Sequence, residues 1–149
     1  MSNVRVLETV EIFNDLNLAQ LEQIYQICTE KICTKGTVIV RENTPSTEIY
    51  IIIEGEVEIL VGTSSLTGSR ERRISILERG QSFGEVALVD EGLRSATVRG
   101  LTDTCRVLEI SRNDLFTLLR QNPEIGFIVM FNLAVDLCLK FRQALNNIN

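Results

Sequence analysis

Apolar residues recur along this chain with two different periods, and the changes of period divide it into three parts. Up to about residue 28 the spacing is helical. Val6, Leu7 and Val10 precede Ile12-Phe13, and Leu18, Leu21, Ile24, Tyr25 and Cys28 line one side of a short helix. Asn17 with Gln20 three residues on is a capping-box arrangement at its start. From about residue 29 the period falls to two. Val38-Ile39-Val40, Ile49 to Ile53, Val57 to Val61 and Ile74 to Leu77 read as strands. They are separated by Lys35-Gly36, Asn43-Thr44-Pro45, Glu54-Gly55, Gly62 to Ser69 and Arg79-Gly80, of which Gly62 to Ser69 reads as a mobile hairpin tip. Thr104 to Ile110 is a last strand. Short strands about ten residues apart predict an antiparallel barrel or jelly roll.

The third part is helical again. Ser111 caps a helix carrying Leu115, Phe116, Leu118 and Leu119, and Pro123 with Glu124 opens another that runs to about Asn146. This last helix is apolar over most of its circumference, with Asn132, Asp136, Lys140 and Gln143 as its polar stripe. Asp136 and Lys140 stand four apart and can pair. Charge in its middle rules it out as a membrane span. A helix apolar on two sides must bury both, one on the barrel and one against a partner. A homodimer through this helix is predicted, with Phe127, Met130, Phe131 or Leu137 on the shared face. Phe127 to Phe131 is also the place to look for a residue that covers a ligand.

Composition adds exclusions. The chain of 149 residues is long enough for one domain with a real core. Its net charge of −5 gives no general attraction for nucleic acid or acidic membranes, so the arginines around Arg70-Glu71-Arg72-Arg73 read as a solvated edge. There is no His, which removes a His general base, His-ligated haem and His-based zinc sites. Cys28, Cys33, Cys105 and Cys138 fit no metal or cluster spacing and read as buried free thiols. With no signal-peptide or lipidation pattern in Met1-Ser2-Asn3-Val4-Arg5, a cytoplasmic protein is expected.

The stretch from Phe83 to Val98 carries the candidate chemistry. Gly84 allows close approach of backbone, and Glu85 to Val89 can make one helical turn whose free N–H groups face an anion. After a turn at Glu91-Gly92, Arg94 opens the alternating run Ser95-Ala96-Thr97-Val98. Its guanidinium fork suits two oxygens of one phosphate. Glu85 is out of place beside an anion unless it accepts a hydrogen bond, for which a sugar hydroxyl is the natural donor.

These residues resemble the phosphate-binding cassette of cyclic nucleotide-binding domains, roughly Phe-Gly-Glu-x-Ala-Leu, a short spacer, then Arg-(Ala/Ser/Thr)-Ala-(Thr/Ser)-Val. Phe83, Gly84, Glu85, Ala87, Leu88, Arg94, Ser95, Ala96, Thr97 and Val98 match in register. The spacing from Glu85 to Arg94 is similar to that in regulatory subunits of the cyclic-AMP-dependent protein kinase, and Ser at position 95 to the bacterial catabolite activator. Gly36, Gly55 and Gly80 also match turn glycines of that family, and Asn43 stands where it usually has Gly.

The resemblance implies an α+β fold, a single domain over 1–149. N-terminal helices would occupy 1–30, the jelly-roll barrel 31–110 with its cassette at 83–98, and a C-terminal helical pair 111–149. It implies that Arg94 holds the cyclic phosphate and Glu85 the ribose 2′-hydroxyl. Phe83, Gly84, Val86, Ala87, Ser95 and Ala96 would complete the site. Cyclic AMP is the expected ligand, with cyclic GMP the alternative, and no metal is expected. The expected function is sensing rather than catalysis, coupled to movement of the last helix. A ligand-free interaction module of the same fold is the alternative. Family members often carry a DNA-binding helix-turn-helix, a kinase or a channel after the last helix. No DNA-binding motif is read in these residues, so either a separate effector protein is the expected partner or the chain is an excised regulatory domain.

Overall fold

In a computed structural model of the chain, residues 4–65, 68–90 and 92–147 are described. The N-terminal part is more tightly wound than its apolar spacing predicts. Val4–Thr9 and Glu11–Phe13 are 3-10 helices that bury Val6, Leu7, Ile12 and Phe13. Helix α1 (Leu18–Gln26) starts as expected: the Asn17 carboxamide oxygen accepts from the Gln20 N–H, and the Gln20 side chain accepts from the Asn17 N–H, both at 2.9 Å. It ends earlier than the periodicity indicates. Leu18 is largely exposed, and Cys28 belongs to strand β1 (Cys28–Thr34) instead. That strand escapes sequence reading because most of its residues face solvent at the edge of a sheet.

Seven further strands follow: β2 (Val38–Val40), β3 (Glu48–Glu54), β4 (Glu56–Ser65), β5 (Gly68–Glu78), β6 (Ser82–Phe83), β7 (Thr97–Gly100) and β8 (Thr104–Ser111). They form two four-stranded antiparallel sheets, ordered β1-β8-β3-β6 and β2-β7-β4-β5, the jelly-roll barrel. Helices α2 (Arg112–Gln121) and α3 (Pro123–Asn146) complete the α+β architecture. The polar stretch from Gly62 to Ser69, read as a hairpin tip, is the end of the β4–β5 hairpin, and strand pairing runs further into it than expected. Ser65 pairs with Gly68, so both arms are strand, and Leu66 and Thr67 between them lie outside the described residues. The Arg-rich stretch is accordingly on the exposed edge strand β5.

Strand β3 explains why Ile49 to Ile53 is apolar without alternation. Ile49, Ile51 and Ile53 face a core shared with the helices, whereas Tyr50 and Ile52 face the barrel interior with Val40, Val57, Phe83, Val98 and Val107. Both faces of the strand are covered, so neither can be polar. Two positive-φ turns are also as read, Gly55 (φ 76) and Asn43 (φ 68), the latter a residue that tolerates the left-handed region.

The cysteine reading is overturned. Cys33 and Cys105 face each other across the β1–β8 ladder, Cα atoms 5.1 Å apart, and form a disulfide inside the barrel core. Seventy-two residues separate them, so only strand register reveals the pair. Cys28 and Cys138 are free; Cys28 is half-buried and Cys138 exposed. No helix among the described residues is long and apolar enough to cross a membrane.

Candidate functional site

The cassette lies between β6 and β7. Gly84 sits at φ 88 and leads into a 3-10 turn, Glu85–Leu88. A side chain at Gly84 would meet the Arg94 guanidinium at 2.7 Å and the Glu48 carbonyl at 2.8 Å, so glycine is required there by space as well as by conformation. The room it leaves is taken by Arg94 itself. The turn is anchored from below. Ala87 and Leu88 are fully buried, the Ala87 N–H donates to the Gly84 carbonyl at 3.0 Å, and the Ala87 carbonyl accepts from Arg112 Nε of α2 at 2.6 Å.

Arg94 is held from both sides of its backbone. Its N–H donates to the Thr44 carbonyl (2.7 Å), and its carbonyl accepts from the Asn43 N–H (2.8 Å). The side chain is only 7% exposed. Nη2 donates to the Glu48 carbonyl at 2.8 Å and stands 3.8 Å from the Glu48 carboxylate. The guanidinium lies 5.9 Å from the Tyr50 ring centroid, and Tyr50 stacks on Phe83 at 5.0 Å. The Tyr50 hydroxyl is spoken for, donating to Glu109 at 2.8 Å. Burial first, and then Glu109 and Glu48, push that phenol well above the usual tyrosine range despite Arg94 nearby. Glu85 is buried too, and accepts from the Ser82 hydroxyl. The carboxylate beside Arg94 is thus Glu48, and Glu85 is held separately.

Both residues face one cavity of about 430 Å³, the size range of small-ligand sites. Of the residues singled out in sequence, Phe83, Gly84, Glu85, Val86, Arg94, Ser95 and Ala96 line it. Ala87 does not; it packs in the core beneath the turn. Ser95 and Ala96 precede β7, which begins at Thr97, so the strand opens three residues later than the alternation predicts. Glu91 of the predicted turn lies outside the described residues, while the Gly92 N–H donates to Asp90 at 2.9 Å. Sequence reasoning missed the apolar wall, which includes Val40, Ile59, Ile74, Leu77 and Val98. Their period-two spacing marks strand faces, but cannot say which face turns to a cavity. It also missed Lys140, the residue of α3 on the wall. Phe127 and Phe131 stack on each other at 5.9 Å, stay exposed and are not on that wall.

The barrel and its flanking helices recur in proteins of known structure. The chain is 28% identical over 133 residues to the Cyclic AMP receptor protein of Thermus thermophilus, which is 89% of this chain and 58% of that one. It is 32% identical over 126 residues to the cGMP-dependent 3′,5′-cGMP phosphodiesterase A of Dictyostelium discoideum, 84% of this chain and 13% of that one. It therefore spans only part of these relatives. The solved N-terminal domain of a transcriptional regulator from Streptomyces coelicolor superposes with a TM-score of 0.80 at 26% identity, covering 91% of this chain and 94% of that domain. Residues 30–122, well over half of the chain, match the family model described as Cyclic nucleotide-binding domain. The chain belongs to the cyclic nucleotide-binding domain family.

Proposed function

We propose that this chain is a cyclic-nucleotide sensor whose first ligand is cyclic AMP, and that it acts by binding rather than by catalysis. The observation that carries the reading is the buried Arg94, braced on the Glu48 carbonyl and facing a cavity of nucleotide size. A guanidinium kept so far from water, with its carboxylate neighbour only at 3.8 Å, is well placed to bind a phosphate by charge-assisted hydrogen bonds. Glu85 then accepts from the ribose 2′-hydroxyl. Phe83, Gly84, Val86, Ser95 and Ala96 line the seat, Ala87 supports it, and the apolar strand faces take the base. Ser95 is exposed at the rim, where its hydroxyl can reach phosphate or base.

The remainder of the reading concerns assembly and setting. Phe127, Phe131, Val135, Leu139 and Phe141 are exposed on α3 and supply a face for a second copy of the chain. Met130 and Leu137, expected on the same face, instead pack partly against the core. The effector is a separate protein or another part of a longer one. A cytoplasmic setting accords with a ligand made from nucleoside triphosphates; the Cys33–Cys105 disulfide argues the other way, and its burial keeps reductants from it.

A thermal-shift panel of cyclic AMP, cyclic GMP and cyclic dinucleotides tests the proposal. Ligand at a hundred times its Kd adds about 2.7 kcal/mol, or roughly 5–10 °C for a domain of this size. Cyclic AMP should give the largest shift at equal concentration. No shift with any of them would overturn the sensor reading, and a tenfold tighter cyclic GMP would reverse the choice of ligand.

A further inference from the structure

Lys140 stands on the partition between two cavities. It lines the larger one with Arg94 and Glu85, and a neighbouring one of about 250 Å³ with Thr9, Glu11, Glu85 and Asp136. Among the described residues it is the one contribution of α3 to the larger cavity. The charges there are unusual for an anion site. The described wall of the larger cavity carries two cations, Arg94 and Lys140, against two carboxylates, Glu85 and Asp90. The smaller one adds Glu11 and Asp136. Lys140 Nζ is 3.0 Å from Asp136 one turn before it. Burial favours the neutral amine, but the Asp136 hydrogen bond and the charges of Glu85, Asp136 and Glu11 outweigh it and hold the group above its ordinary pKa. A single ammonium therefore answers three carboxylates from three elements: the second 3-10 helix, the cassette turn and α3.

We propose that Lys140 is the positioning residue that fastens the distal half of α3 to the cassette, neutralising the Glu11, Glu85 and Asp136 cluster and serving as second cation for an anion held on Arg94. This rests on the cyclic-nucleotide reading of the cavity. The fastening matters because apolar burial of α3 stops early. Ile125, Val129 and Leu133 are its buried residues, and beyond them Val135, Leu139, Phe141 and Leu145 are exposed. Without Lys140, three carboxylates would share the walls of the two cavities where the distal helix meets them, with no ammonium among them. A ligand's negative charge and the position of α3 are thereby coupled through one side chain.

The test compares wild type, Lys140→Gln and Lys140→Arg by amide hydrogen exchange without nucleotide, then by calorimetry with cyclic AMP. Lys140→Gln should speed exchange about two- to five-fold, the range of an exposed ion-pair network, in both residues 134–146 and residues 82–90. Lys140→Arg should restore it. Loss of a helix-local pair alone would move the first segment and leave the cassette unchanged, and that result overturns the proposal. For cyclic AMP, Lys140→Gln should bind about two- to five-fold more weakly, with the gap closing at high salt. Unchanged affinity, with wild type binding normally, also overturns it. If wild type does not bind cyclic AMP, the sensor reading falls, and exchange in the cassette alone decides whether the fastening exists.

Discussion

Replacing Arg94 by Ala tests the site most directly, and the structure shows that two effects must be kept apart. The first is on binding. Removing one partner of a desolvated, hydrogen-bonded charge pair costs on the order of 2–5 kcal/mol, a loss of about thirty- to several-thousand-fold in affinity. The second is on the fold. Arg94 is only 7% exposed and satisfies the Glu48 carbonyl at 2.8 Å. Its loss leaves that acceptor unpaired beside the gap over Gly84, at roughly 1–3 kcal/mol, or about 3–10 °C in melting temperature. Arg94→Lys keeps the charge but not the fork, so it should recover part of each effect. The assay is calorimetry with cyclic AMP, run well below each variant's own melting temperature, with unliganded melts recorded alongside. Equal affinity in folded wild type and folded Arg94→Ala would refute the phosphate role. An unchanged melt would refute the structural one.

Three further outcomes follow from named contacts. Glu85→Ala should weaken cyclic AMP binding by about 1.5–3 kcal/mol, roughly ten- to a hundred-and-fifty-fold, and abolish the preference over the 2′-deoxy analogue; a preserved preference places the ribose elsewhere. Phe131→Glu should shift the chain from dimer to monomer in light scattering, and a wild-type monomer at high micromolar concentration would end the α3 assembly. On the barrel, the Arg99 hydrogen bond (2.8 Å), against the opposing effect of burial and with help from Arg73 (3.3 Å), holds the Glu58 carboxyl below its ordinary 4.5. A depressed folded pKa gives stability present above the unfolded value and lost as pH falls through the folded one, so melting temperature should drop below about pH 4.5, and less steeply in Glu58→Gln.

What the sequence discloses depends on whether the information is local. The capping box at Asn17, the Ser111 cap, Pro123 at the start of α3 and the positive-φ turns at Asn43 and Gly55 are decided within a few residues, and each is where the sequence puts it. The cassette is legible for a similar reason: Gly84, Glu85 and Arg94 fall within one short stretch, and their types are constrained by a small space. Strand β1 is not legible, because an edge strand with little burial carries no apolar signature. The Cys33–Cys105 pair depends on register across 72 residues, and the anchor of Arg94 on Glu48 on pairing across 46. Neither distance leaves a trace in local composition. The fold supplies Glu85 and Arg94 each with a different neighbour, Ser82 and Glu48, which no local pattern indicates.

The last helix shows how the two kinds of information combine. Its hydrophobicity over most of the circumference calls for two buried faces, but the fold buries only one, and fully only over its first half. Asn132 marks the changeover: its amide donates to the Ile12 carbonyl at 3.2 Å and the Asn14 carbonyl at 2.8 Å, tying α3 to the second 3-10 helix. Before that tie, Ile125 and Val129 are in the core and opening them means opening the core. Beyond Leu133, the helix is held by its own backbone ladder, by Leu137 packed at its flank, and by Lys140 at the cavity wall. Local stability follows buried apolar contact, so the distal half is the segment that a small change at the cavity can move without unfolding the domain. The same half carries the exposed Val135, Leu139 and Phe141. Cavity contact and exposed face thus lie on one weakly anchored segment, the arrangement through which the proposed sensor would couple its ligand to assembly.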